Sequence, residues 1–388
     1  MYHSFIHRFV PSITLPYAHS ALKAYSVAVP HVTNNSMVLD LFVACGALVM
    51  GFGNAATRDE SLKYYRCCVM NLKTQINNQK INGTESWLLS ALPILLIFEK
   101  HRGTSVTKSM KHLHGLYLMI KEREKQKMLT GGPKLGMVPD ERSSLESFLY
   151  HYATGILFVS DEGLKKYLPR GVFRHLLKSL ITPIYRSEIV WVNNPVLGGS
   201  IFLFEIVERI SWFFRQHSST GICDADEGNG LLKELDDWRF PGMPDTLAGL
   251  SEGRSLKAHH DAAMVWKNGA RILLLKALHP DISENDIRIR TCVDDGRNWL
   301  EKIPLGGDTG CTGCTIFWPI AMIGCASTRQ EDREFIRNMS TGLAEVVFSV
   351  SSYQLLDLCM HAWGEKTEFP ERGLDVLYNR NIMDNYYL

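Results

Sequence analysis

The chain has 388 residues, with 45% hydrophobic and 21% charged positions. A chain of this size and composition buries a large core, which excludes a mainly disordered protein. Its 42 Lys and Arg against 41 Asp and Glu give a net charge of +1, which excludes a dedicated nucleic-acid-coating protein and an acidic tail protein.

The opening Met1–Pro11 has no continuous apolar core, so no secretory signal is expected. Residues 1–36 form a lead-in segment and 37–388 a single helical domain in this reading. From Asp59 the apolar positions Leu62, Tyr65, Val69, Leu72 and Ile76 recur three and four apart, which predicts a helix; Thr57 and Glu60 have the spacing of a capping box. Residues 105–125 repeat the pattern through Met110, Leu113, Tyr117 and Ile120, with Lys108, Lys111, Lys121 and Glu122 outward. Ser143–Glu146 opens a further helix whose inward positions are Leu145, Phe148, Leu149, Tyr152 and Ile156. Ile189–Val192 could be extended, ended by Asn193-Asn194-Pro195. Near the C-terminus, Ile336, Met339, Leu343, Val346 and Val350 make another stripe. Gly- and Pro-rich loops are expected near 131–142, 218–256 (where one short helix could form) and 303–315. The fold class is all-α: one large multi-helix domain of packed hairpins with no significant sheet. Nine scattered cysteines fit a reduced, intracellular chain. The uncharged Thr309–Thr328 is broken by Gly and Pro, so no membrane span is expected.

Five groups invite a chemical reading, and each has a plainer structural one. Gly51-Phe52-Gly53-Asn54-Ala55-Ala56 fits a loose dinucleotide pattern, but a long apolar run precedes it and no second strand with a terminal acid follows; it reads better as a helix ending at Gly51. Cys311 and Cys314 form the one C-x-x-C, without a second pair to complete a zinc site, and read as small residues in a glycine-rich turn. Asp294-Asp295-Gly296 resembles the aspartate-rich magnesium motif of helical terpene cyclases, but its downstream partner is missing, so a solvated acidic turn is preferred. His259-His260-Asp261 and His112-Leu113-His114 lack the three- or four-residue spacing that puts ligands on one helix face. Lys121–Lys127 is a solvated helix end whose charges largely cancel. The sequence therefore assigns no catalytic, cofactor-binding or metal-ligating residue and calls for no cofactor.

Four blocks in order are similar to the fungal-specific transcription factor domain family. They are Val43–Ala47 with Ser61–Tyr65; Leu88–Glu99 with His112–Gly115; Asn194–Gly199 with Leu203–Ile206; and Phe317–Ala326 with Arg333 after it. The resemblance runs from about residue 37 to the C-terminal tail and implies a helical regulatory region. In that family such a region usually lies C-terminal to a six-cysteine zinc-cluster module that reads DNA, and that cysteine pattern is not in this chain. The implied role is that of a non-enzymatic, nuclear regulator of a metabolic or secondary-metabolite pathway, with cytoplasmic residence the alternative. It would act through other regulators, a DNA-binding partner, a small-molecule effector or a homodimer, with no direct DNA binding expected and no membrane. The rival expectations are a helical enzyme, such as a cyclase on an apolar substrate with Asp294 and Asp295 in a deep cavity, and a protein-interaction scaffold.

Overall fold

The computed structural model describes residues 1–103, 106–221, 223–242, 251–305 and 310–388. Short helices Tyr2–Ser4 (α1), Val10–Ile13 (α2) and Ala24–Ala28 (α3) lead into Ser36–Met50 (α4), Ala55–Asn77 (α5), Ser86–His101 (α6), Val106–Thr130 (α7), Pro139–Gly155 (α8), Asp161–Tyr167 (α9) and Val172–Leu180 (α10). Next in the chain are Ile201–Thr220 (α11), Ala225–Asp237 (α12), Ser251–Leu278 (α13), Ile287–Leu300 (α14), Gly310–Thr315 (α15), Phe317–Ala326 (α16), Gln330–Val347 (α17), Ser351–Ala362 (α18) and Arg380–Met383 (α19). No strand occurs among the described residues, so the fold is all-α as the periodicity predicts.

The chain divides into two compact units: Met1–His151 with Pro169–Gly198, and Tyr152–Leu168 with Gly199–Leu388. In the first unit, α4 and α5 form a hairpin. Gly51 ends α4, its N–H bonding Ala47 O at 2.8 Å, and Gly53 takes a left-handed φ of +83°. A Cβ at Gly51 would lie 2.8 Å from the Arg58 nitrogen, so this close return of the chain requires glycine. The α5 cap is Asn54, whose side chain accepts from Thr57 N at 3.2 Å, rather than the Thr57–Glu60 box. The inward face of α5 also differs from the expected stripe: Ser61, Tyr65, Cys68 and Leu72 are buried, while Ile76 is exposed. Ser61 Oγ donates to Ala44 O at 2.9 Å across the hairpin, so a polar residue outcompetes its apolar neighbour for the seam.

Helix α8 begins at Pro139, four residues before the expected start, with Asp140 and Glu141 in its first turn. Proline at the first helical position and acids near the positive end of the helix dipole account for that start. Val190–Asn193 is a 3₁₀ turn and not a strand, pinned by Asn193, whose side chain accepts from Ile184 N and Tyr185 N. Within residues 1–36, Phe5 and Phe9 are fully buried, and Phe5 stacks on Phe42 at 4.0 Å.

The second unit is organised on α13. Every residue of α16 is buried, and its Trp318 stacks on Trp266 of α13 at 5.0 Å. Gly269 of α13 faces Pro319 so closely that a Cβ would lie 2.9 Å from the proline Cα. The interval 218–256, read as a loop that could hold one short helix, contains the 13-residue α12 and the start of α13, while its residues 222 and 243–250 lie outside the described ones. Ile336, Met339 and Leu343 are buried in α17, with Val347 rather than Val346 completing the face. No helix among the described residues is long and apolar enough to cross a membrane.

Candidate functional site

The first unit contains an apolar groove beside Pro93, inside α6. Pro93 has no N–H, so the carbonyl four residues earlier, at Leu89, loses its helical partner. Ser144 of α8 replaces it, its hydroxyl donating to Leu89 O at 2.5 Å. Beside this repair, a cavity of about 60 Å³ is lined by Val27, Ala28, Leu89, Pro93, Ile94 and Val196 among others. Ser90 also lines it; its hydroxyl is buried and has no hydrogen-bond partner among the described residues. A buried hydroxyl left unpaired costs about 1–3 kcal/mol, which a ligand acceptor would recover. The volume exceeds the need of a single water and suits the end of an alkyl chain.

Three buried charges of α8 hold the surroundings of this groove. Glu141 accepts from Lys127 at 2.8 Å and from Gly136 N at 3.0 Å. Arg142 is fully buried and donates to Leu180 O at 2.6 Å and to Thr182 O. Glu146, also fully buried, accepts from Val196 N and Leu197 N, both at 2.9 Å. Burial pushes the Glu146 carboxyl up to about 7, against the pull of those two N–H groups. Sequence periodicity points to none of the three; the available signal is charge at inward positions of a helix that starts at Pro139 rather than at Ser143.

The histidine clusters sit in separate polar networks. Tyr65 hydroxyl donates to the buried Glu99 and lies 3.0 Å from His112 Nε2. Loss of water around His112, against the opposing pull of Glu99, lowers it to about 4. In the second unit, His259 Nε2 lies 3.0 Å from Ser200 Oγ, and His260 Nδ1 lies 2.9 Å from Asp261 Oδ1. The glycine-rich Gly51–Ala56 is the hairpin turn described above, with a helix on each side.

Asp294 and Asp295 lie within α14 and not on a turn. Gly296 is there because a Cβ would lie 2.5 Å from Ile323 Cδ1 of α16. Asp294 pairs with Arg329, which also holds Asp332 at 2.6 Å. Asp295 lines a different feature, a cleft of about 460 Å³ that it shares with Lys267, Arg271 and Arg288. The two carboxylates do not converge. A further cleft of about 440 Å³ lies by α18, where Asp357 pairs with Lys366 and accepts from Tyr386 hydroxyl at 2.6 Å. No group of three His, Cys, Asp or Glu placed to hold a metal occurs among the described residues. Cys314 lies in α15, while the Cys311 side chain lies outside the described ones. Cys45, Cys68, Cys325 and Cys359 are buried free thiols; the neighbouring Cys359 thiol and then burial push Cys325 up.

The family model described as "Fungal specific transcription factor domain" matches residues 1–356. No curated protein and no solved structure matches the chain. All four resembling blocks fall inside that span. They lie on α4 and α5, on α6 and α7, on the Glu146-bound loop with α11, and on α16 with the start of α17.

Proposed function

Because the chain belongs to the fungal-specific transcription factor domain family, a transcriptional-regulator role is its premise, and we propose that it is a nuclear effector-responsive module controlling a fungal metabolic or secondary-metabolite pathway. The observation that carries the effector part is the Ser90 hydroxyl, buried without a partner among the described residues, in the lining of an apolar cavity beside Pro93. A small molecule with an alkyl end and one carbonyl or hydroxyl satisfies both features: its chain enters the cavity and its oxygen accepts from Ser90. Binding shifts a two-state equilibrium only through such differential contacts, and α6, which lacks one backbone hydrogen bond at Pro93, is the element suited to two arrangements. Partner regulators then read the altered helical surface.

The test is a strain lacking the chain, compared by transcript profiling with one carrying a fluorescently tagged copy. The expected result is nuclear fluorescence and a bounded set of transcripts that changes on deletion and returns on complementation. A tagged copy excluded from the nucleus, with all transcripts unchanged, overturns the reading. Ser90→Leu, which fills the cavity, is expected to abolish metabolite-dependent thermal shifts while leaving the fold intact.

A further inference from the structure

In the second unit, one face of α13 and one face of α14, with α12 at the side, border a cleft of about 460 Å³, within the size range of small-molecule sites. Its charges are unevenly spent. Arg288 donates to the two oxygens of Asp286 at 3.0 and 2.9 Å, and Arg271 pairs with Asp236. Lys267 has no carboxylate in ion-pair reach among the described residues. Its ammonium donates to two neutral carbonyls, Asp236 O at 3.0 Å and Trp238 O at 3.1 Å, which leaves a third N–H open. Burial, then Arg239 and Arg271, outweigh the pull of Asp236 and Asp237 and hold Lys267 below the usual lysine range, as expected of a cation short of a counter-ion. On the opposite wall, Asp295 makes no hydrogen bond or ion pair among the described residues. The close approach of Gly296 to Asn268, where a Cβ would lie 3.7 Å from Asn268 Cβ, sets Asp295 beside that amide. Asn268 Nδ2 donates to Met264 O at 2.9 Å, and its Oδ1 accepts nothing among the described residues. Burial pushes the Cys292 thiol up to about 12, and Arg271 and Asp295 act on it in opposite senses, so both charges border the same stretch of wall.

We infer that this cleft binds a free amino acid with a large apolar side chain. A cation and an anion that share one cleft without pairing to each other select a ligand carrying both signs. The ligand carboxylate accepts from the open Lys267 N–H and from Arg271, whose Nη1 and Nε make no bond among the described residues. The ligand ammonium, a donor only, reaches Asp295 and Asn268 Oδ1. The side chain covers Leu232, Met264, Leu275 and Trp299, which supply the apolar lining. A simple carboxylate would place an anion against Asp295, and a simple amine would leave Lys267 uncompensated. The site lies in the unit that does not contain the Ser90 groove, and it stands independently of the regulatory reading.

The experiment is calorimetric titration of the full chain with L-phenylalanine, with 3-phenylpropanoate, which lacks the ammonium, and with 2-phenylethylamine, which lacks the carboxylate. The expected dissociation constant for L-phenylalanine is about 10⁻⁴ M, with each analogue weaker by about tenfold or more. Asp295→Asn is expected to weaken L-phenylalanine about tenfold without weakening 3-phenylpropanoate. Lys267→Gln is expected to weaken L-phenylalanine by a similar factor without weakening 2-phenylethylamine. Lys233→Gln, exposed on α12 and outside the cleft, is expected to bind like the parent. Circular dichroism melting checks that each variant folds. Asp295 is exposed and unpaired among the described residues, so Asp295→Asn carries the test alone should Lys267→Gln unfold. No heat at millimolar L-phenylalanine, equal affinity for either analogue, or parent-like binding by Asp295→Asn overturns the inference. Unchanged transcripts in the deletion strain with intact calorimetric binding would remove the regulatory reading and leave this site standing.

Discussion

The two units each bury an apolar core and carry opposite net charge, +10 in the first and −9 in the second. In the second, Arg329 pairs with Asp294 and with the buried Asp332, and Arg297 bridges Asp332 and Glu301 at 3.0 Å each, so partly exposed cations cover a buried acid. In the first, Glu99, Glu141 and Glu146 act as interior acceptors for hydroxyl, ammonium and backbone donors, and the surplus cations face water. A balanced composition therefore says little about surface potential, which depends on which sign the core consumes.

The largest expected effect lies in the second unit, where packing carries the stability. Trp318→Ala removes the partner of Trp266 from a fully buried helix and should cost about 4 kcal/mol in urea unfolding. In the first unit the corresponding element is a carboxylate. Glu146→Ala strands the Val196 and Leu197 N–H groups and should cost about 3 kcal/mol, whereas Glu146→Gln retains an acceptor and should cost clearly less. If Glu146→Ala were harmless, the contrast between an apolar and a polar scaffold would collapse.

The pH dependence sharpens the same contrast. Burial raises Glu146 from 4.5 to about 7, so the folded state holds its proton more tightly than the unfolded chain does. Its contribution is fully present below pH 4.5 and is lost as pH rises through about 7. His112 acts in the other direction: lowered from 6.5 to about 4, it contributes stability above pH 6.5 that is lost as pH falls toward 4. Denaturant midpoints across this range should flatten on the alkaline side in Glu146→Gln and on the acid side in His112→Gln. Tyr65→Phe, which takes a donor from buried Glu99, should cost about 1–2 kcal/mol. The smallest effect belongs to the partly exposed Arg337–Glu365 pair of the second unit, where Arg337→Gln should change stability by less than about 1 kcal/mol.

Helical periodicity made the α7, α8 and α17 cores legible, because Met110, Leu113, Leu145, Phe148, Ile336 and Leu343 are large, apolar and regularly spaced. It failed on α5, where small Ser61 and Cys68 face inward and Ile76 does not, since close packing of a hairpin favours small residues over apolar ones. The groove was illegible for a related reason. Ser144 is remote in the chain from Ser90 and Pro93, and only the fold shows that a hydroxyl from α8 completes a carbonyl freed on α6. Net charge misleads in the same way, because it is summed over a chain whose two units have opposite signs.

The central claim is that this helical chain transmits a regulatory signal, and fusing it to an unrelated DNA-binding domain above a reporter tests that directly. The expected result is a severalfold change in reporter output that Ser90→Leu uncouples from metabolite supply at equal protein abundance. Output indistinguishable from that of the DNA-binding domain alone would contradict it.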